Sequence, residues 1–540
     1  MLNGLRANAA DSPEPNILKT MAEVEIQTIP HTLFRDIMET RARQEPDAVY
    51  LRFEGVDMSV AQINAAANRL ANALLARGLN PGDRVALMLP SHPHHIVAIF
   101  ALMKAGLVRV PINVNAKGPS LEHYFKSYDP HLLIADRAYQ DLLIDMPAPE
   151  TVWRSLEDSA EDGFAALLAH EDESCPTVSI DPDQMLAMTP SSGTTGAPKG
   201  VIKSDRTLRA GPHCILELTE AKKGDVFLLW EPLHHGAGVA VTIAAMLGGI
   251  TLAMVERFSV SRFWDQVRDN GVTHIHYLGG VFPLLLKQEP SKKERDHNVR
   301  IAWGGGCPPE IWDEVQERFG VQLREGYGLS ELITFVTLNK TGRKGSCGLP
   351  ISLYEIKAVD AKGTEVPVGS AGELIARARQ PGLEFLGYFR NEKAAADAMK
   401  DGWFHTGDLA RRDEDGYLYY AGRTKEMVRR RGVNISAWEV EQVVNKFGPV
   451  AESALVGVPS ELGEDDLKIV VRPAGGKSFD PLELIRFCEP QMPYYQVPRY
   501  VEFIDEFPKT PTQRIRKNEL SRSVQGVWDL EASGYQVSRR

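Results

Sequence analysis

The chain is 540 residues long, 43% hydrophobic and 25% charged, and its 61 basic and 72 acidic residues give a net charge of −11. That length is too great for one compact core, so two or more domains are expected. The acidic balance argues against a nucleic-acid-binding surface, which needs a basic face. No apolar run reaches the roughly 18 residues of a membrane span. The five cysteines are scattered with no C-x-x-C pair, which suggests neither a zinc site nor a disulfide framework and fits a reducing cytoplasm.

Residues 1–25 have no apolar core, so they read as a loose extension rather than a secretory signal. Ser59-Val60-Ala61-Gln62 has the form of a capping box, and Ile63, Ala67, Leu70 and Leu74 follow at helical spacing until Gly78. A strand at 85–89, an apolar helix at 95–104 and a strand at 108–112 make a βαβ unit, which implies a parallel sheet. The alternation recurs with strands at 226–230, 273–278, 301–303 and 321–325 and helices at 263–270 and 311–319. After residue 345 strands shorten and glycine turns multiply, which predicts an antiparallel subdomain. Beyond Gly422, Ser436-Ala437-Trp438-Glu439 reads as a second capping box, followed by strands at 454–458 and 468–471 and a helix at 482–489. The fold class is α/β: a large N-terminal domain of stacked sheets and helices with an antiparallel subdomain, then a small α+β C-terminal domain. The expected division is 1–25, 26–423, 424–520 and a loose tail, 521–540.

Three glycine-bearing segments end strands, at 191–200, 304–306 and 326–328, and ligands of open α/β sheets bind at such ends. The first, Ser191-Ser192-Gly193-Thr194-Thr195-Gly196-Ala197-Pro198-Lys199-Gly200, offers bare backbone N–H groups, small hydroxyl donors and one mobile cation, which suits a polyphosphate. It is not a Walker A loop, because Pro198 precedes the lysine and Gly200 stands where Ser or Thr would hold magnesium. Downstream lie Tyr327-Gly328-Leu329-Ser330-Glu331, His405-Thr406-Gly407-Asp408 and Gly422-Arg423. In this order the motifs resemble those of the AMP-forming acyl-CoA synthetase, adenylation-domain and luciferase superfamily, over roughly residues 30 to 520. Within it the chain is similar to the carnitine- and crotonobetaine-CoA ligase group, through the texture of 258–266, 487–498 and Arg516-Lys517-Asn518.

The resemblance implies ATP (leaving as AMP), Mg²⁺ and CoA, a carboxylic acid as substrate, and a C-terminal domain that rotates about Lys425 between adenylation and thioester formation. It implies that Thr194, Thr195 and Lys199 handle the outgoing phosphates, Tyr327 stacks on adenine, Ser330 meets the α-phosphate and Glu331 holds magnesium. Asp408 and Arg423 would hold the ribose, and Gly304, Gly305, Gly306, Glu325 and Gly326 would border the nucleotide. Arg429 and Gly432 would face CoA, with the run Arg429-Arg430-Arg431 as a receiver for its phosphates. Pro232-Leu233-His234-His235-Gly236 resembles the acyl-gating motif, with His235 on the path shared by carboxylate and thiol. His274 and His276 alternate on one strand, but no carboxylate is suitably spaced to complete a metal set, so they read as half-buried strand residues. The glycines at 236, 238, 279, 280 and 304–306 either leave room for a bulky acid or serve backbone turns.

One departure stands out. The family ends on Pro-Lys-Thr-x-x-Gly-Lys, whereas this chain has Pro508-Lys509-Thr510-Pro511-Thr512-Gln513-Arg514. Arginine keeps the charge and can grip phosphate bidentately, so Arg514 is expected to replace the bridging lysine, with Lys517 on the opposite face if the segment is extended. Three readings remain: an acid–CoA ligase, an adenylating enzyme serving an amine or a free-standing carrier protein, and a nucleotide-binding protein disabled at Arg514. A homodimer is left open.

Overall fold

The computed structural model describes residues 23–155, 163–190, 199–430, 433–460, 465–510 and 514–538. The expected loop from Ser191 to Pro198 lies outside them, but its flanks do not: Met185–Pro190 and Gly200–Ser204 are strands paired antiparallel, as the apolar borders of the loop require. Of the expected N-terminal extension only 23–25 is described, and there Val24 bridges to Ile351.

Two large sheets carry the fold. One has six strands and the other nine. In the first, Arg84–Met88 and Val108–Pro111 run parallel around the helix Pro93–Ala105, so the βαβ expectation holds. That helix is apolar on every side because it lies between layers, and each buried Ile, Leu or Phe contributes about 1.5–3 kcal/mol. In the second sheet, Val226–Leu229, His274–Leu278, Ile301–Gly305 and Gln322–Tyr327 are consecutive parallel neighbours. The helices Val60–Ala76, Asp205–Thr219 and Gly236–Gly248 join residues of both sheets in one apolar core. Ser59 does cap Val60–Ala76 with the reciprocal Gln62 bond.

Past residue 345 the antiparallel subdomain appears as Tyr354–Val359, Ala371–Ala378, Trp403–Arg412 and Leu418–Arg423. A four-stranded sheet built on Val450–Pro459 and Asp465–Pro473 follows, with its own core. Two expectations fail here. Ser436 starts the helix Ala437–Val444 but makes no cap bond; its hydroxyl donates instead to the Ala421 carbonyl at 2.8 Å, tying that helix to the strand Leu418–Arg423. The stretch after Ser521 is not loose in its described part: Trp528–Asp529 pairs with Tyr500–Phe503, Leu530 is buried, and Arg499 grips both oxygens of Asp529.

Candidate active site

The site forms where the parallel strands of the larger sheet end. Gly304 faces Tyr277 on one neighbouring strand and Glu325 on the other. A Cβ at Gly304 would lie 1.9 Å from the Tyr277 carbonyl oxygen, so only glycine lets these strands close. At Gly279 a Cβ would meet the Gly306 carbonyl oxygen at 2.6 Å. These glycines therefore serve close backbone approach rather than room for a bulky acid; Gly280 alone of the set has open space around it. Gly305 lies beside the Gly326 carbonyl, which brings 304–306 and 326–328 together as expected. Glu325, read as bordering the nucleotide, is instead turned inward: its carboxylate accepts from the Cys307 N–H at 2.6 Å and the Tyr277 hydroxyl at 2.9 Å. Burial pushes its pKa up to about 7 against those bonds.

Asp408 and Arg423 are register partners on adjacent strands, and the Tyr327 hydroxyl reaches them from the larger sheet. Asp408 is buried; its Oδ2 accepts from Tyr327 at 2.7 Å and its Oδ1 from Arg423 Nε at 2.8 Å. Burial opposes the Arg423 charge, and Asp408, Tyr420 and Glu426 together outweigh it, holding the guanidinium pKa above its ordinary value. Three motifs separated by up to 96 residues thus meet at one carboxylate.

A second array gathers around Lys199. Lys199 Nζ sits 4.6 Å from the centre of the Tyr388 ring, and the Tyr388 hydroxyl donates to Glu331 Oε1 at 2.9 Å. Lys203, two positions past Val201 on the same strand, is buried, donates to the Leu332 carbonyl, and has its pKa lowered to about 8 by burial, with Glu331 opposing. Neither Tyr388 nor Lys203 is marked by a motif, and the strand Gly200–Ser204 does not alternate in burial, so no local signal picks out Lys203. Ser330 is half-buried beside Glu331. No group of three or more His, Cys, Asp or Glu forms a metal cage among the described residues. A single carboxylate is what magnesium needs from protein when substrate phosphates supply the other oxygens, so Glu331 fits that ion.

His235 precedes the helix Gly236–Gly248 without capping it. Its ring packs 4.4 Å from His234, and burial lowers its pKa to about 4, so it is neutral at pH 7. The strand histidine His276 has a carboxylate after all: buried Glu231, 45 residues away, meets its Nδ1. The pair is a dyad, with Trp303 packed on His276 at 4.2 Å, not a metal set.

Arg514 is exposed, its backbone N–H donating to Thr510 Oγ1 at 3.0 Å. Its charge acts on the Tyr420 hydroxyl, as those of Asp408 and Arg423 do, so it stands near that pair. Lys517 is turned away from it, paired at 2.8 Å with both Glu426 and Glu441. Lys425 is exposed, in the turn Thr424–Glu426. The basic run is divided: Arg430 is buried, paired with Asp466 and bonded to the carbonyls of Tyr495 and Val497, so it is not free for CoA phosphates. Gly432 and the side chain of Arg429 lie outside the described residues, as do Ser191, Ser192, Gly193, Thr194, Thr195 and Gly196.

The AMP-binding enzyme family matches residues 38–389, and the AMP-binding enzyme C-terminal domain matches 439–514. The chain therefore belongs to the AMP-binding enzyme family. It is 29% identical to a feruloyl-CoA synthase of an Amycolatopsis species over 490 residues, covering 89% of this chain and 97% of the relative. It is 28% identical to crotonobetaine/carnitine–CoA ligase of Salmonella typhimurium over 485 residues, covering 86% and 94%. Among solved structures, o-succinylbenzoate coenzyme A synthetase (MenE) of Bacillus subtilis, in complex with ATP and magnesium ion, superposes with a TM-score of 0.78 at 22% identity, over 90% of this chain and 98% of that one.

Proposed function

We propose that the chain is an ATP-dependent carboxylic acid–CoA ligase working through an acyl-adenylate. The observation that carries this reading is the meeting of Tyr327, Asp408 and Arg423 at one carboxylate, beside the Lys199–Tyr388–Glu331 array. Asp408 has two acceptor oxygens, which suit a ribose diol once Tyr327 yields its bond and offers its ring face to adenine. Glu331 would hold Mg²⁺ against the phosphates, and that ion, when bound, neutralises charge there.

In the first step an oxygen of the acid attacks the α-phosphorus of ATP, and the bond to the β-phosphate bridging oxygen breaks. Acyl-AMP and pyrophosphate result. No covalent enzyme intermediate is needed, so rate comes from positioning and charge relief. Lys199 draws on the departing pyrophosphate; Ser330 and Arg514 face the α-phosphate. In the second step the CoA thiol gives its proton to solvent, its sulfur attacks the acyl carbonyl, and AMP leaves with the bonding pair. His235, neutral at pH 7, leaves that path uncharged.

The domain division at Arg423, the hinge at Lys425, and the assignment of Arg429 and Gly432 to the CoA side are part of the proposal. Exposure of Lys425 and of Arg514 is what a moving segment requires. The free cysteines suit a reducing cytoplasm. A homodimer is a proposal to be read from the mass in solution. The test is pyrophosphate release from Mg·ATP across a panel of acids, with and without CoA, followed by mass analysis. Acid-dependent pyrophosphate with acyl-CoA is expected; acyl-AMP that never becomes thioester would transfer the reading to an amine or carrier-protein acceptor.

A further inference from the structure

Seven arginines are buried among the described residues, and six of them meet a carboxylate. Arg41 pairs with Glu45, Arg154 with Asp136, Arg206 with Asp183, Arg209 with Asp205, Arg324 with Glu220 and Arg430 with Asp466. Arg109 is the exception. It is 3% exposed; its Nη1 donates to the Leu233 carbonyl at 3.1 Å, and its Nη2 has no hydrogen-bond partner. Burial lowers its pKa to about 10 and no acidic group opposes that. A buried, unmatched guanidinium is among the costlier things a fold can hold.

Its neighbours are also unfilled. His95 and His234 both lie within reach of the Arg109 charge, and His235 packs on His234. The Nε2 atoms of all three are buried without a partner. The cluster abuts the proposed site. Arg109 is register partner of Ala187, on the strand that leads into the glycine- and hydroxyl-rich loop. Thr189, two residues on and about 7 Å along the strand, is 3.1 Å from where a Cβ of Gly236 would stand, next to His235.

We propose that Arg109 is the counter-charge for a second anionic group on the acid substrate, so that the preferred substrate class is a dicarboxylate or an acid with a comparable remote anion. This rests on the acid–CoA ligase reading. The reacting carboxylate would lie toward Lys199 and Arg514, and the remote anion would complete Arg109 Nη2, with the imidazoles of His95, His234 and His235 walling it from apolar side chains.

The experiment uses the full chain and matched acids of one carbon skeleton, ending in a carboxylate or in a methyl group. Pyrophosphate release is measured for the unaltered protein, Arg109→Met and Arg109→Lys, with the thermal shift on AMP binding as a check of folding. The expected result is a preference for the diacid of at least about tenfold in kcat/KM, from one charge-assisted contact. Arg109→Met should lose about 10- to 100-fold more on the diacid than on the monoacid, and Arg109→Lys should recover part. If Arg109→Met does not fold, the preference of the unaltered protein decides. Equal use of the two acids, or equal losses in Arg109→Met, would overturn the proposal and leave the cluster to buried water. If no acid releases pyrophosphate, the ligase reading fails instead; a diacid-dependent thermal shift that Arg109→Met abolishes would still support the anion site, and its absence would end it.

Discussion

The Tyr327–Asp408–Arg423 array and the surroundings of Arg514 are built in opposite ways. Tyr327, Asp408 and Arg423 sit on strands, bonded to one another, with Asp408 4% exposed. Arg514 is exposed on a short segment held by its exchange of bonds with Thr510. Groups fixed by neighbouring strands are organised before the nucleotide arrives and cost little to align. A cation on an exposed loop can leave after adenylation, which a site serving two half-reactions needs. On the proposed reading the difference divides labour: the strand residues would bind, and Arg514 would act on the phosphate.

Breaking the bound array should have the largest effect. Asp408→Ala removes the acceptor of both Tyr327 and Arg423 and leaves a half-buried guanidinium without its carboxylate, so kcat/KM for ATP should fall about 10³-fold. The next effect belongs to the loop. Arg514→Ala removes a charge without opening the core, so kcat for pyrophosphate release should fall about 10²- to 10³-fold with KM for ATP nearly unchanged. Arg514→Lys should recover most of that rate.

A third prediction concerns rigidity beneath the strands. Glu325 has its pKa raised from 4.5 to about 7 in the folded chain. The folded state thus keeps a proton that the unfolded state releases, and the stabilising contribution, full below pH 4.5, is lost as pH rises toward 7. Glu325→Gln should remove about 2–3 kcal/mol of that decline, read as the difference between the two proteins in urea midpoints at pH 5 and pH 7.5. The smallest effect is at the junction. Ser436→Ala loses the bond to the Ala421 carbonyl and should cost about 1 kcal/mol in unfolding free energy.

How much could be read beforehand follows the same division. Short-range patterns were legible: the Ser59 capping box, the βαβ unit, and the strands either side of the loop all follow from spacing within some twenty residues. The motif residues Tyr327, Asp408 and Arg423 were legible through resemblance, and the structure brings them together. Residues that act through distant partners were not. Glu231 meets His276 across 45 positions, and Tyr388 meets Glu331 across 57; no local period encodes either pair. Ser436 has the residue type for a cap, yet a carbonyl 15 residues earlier takes its hydroxyl. The tail after Ser521 looked unpatterned because its order comes from Arg499 and a borrowed sheet edge.

The division of labour is tested most directly by single-turnover pyrophosphate release from Mg·ATP with an accepted acid and no CoA, alongside ATP affinity, for the unaltered protein, Asp408→Ala and Arg514→Ala. The account predicts that Asp408→Ala loses affinity, whereas Arg514→Ala binds ATP normally and releases pyrophosphate slowly. Release at the unaltered rate by Arg514→Ala, or an equal loss of affinity in both variants, would contradict it.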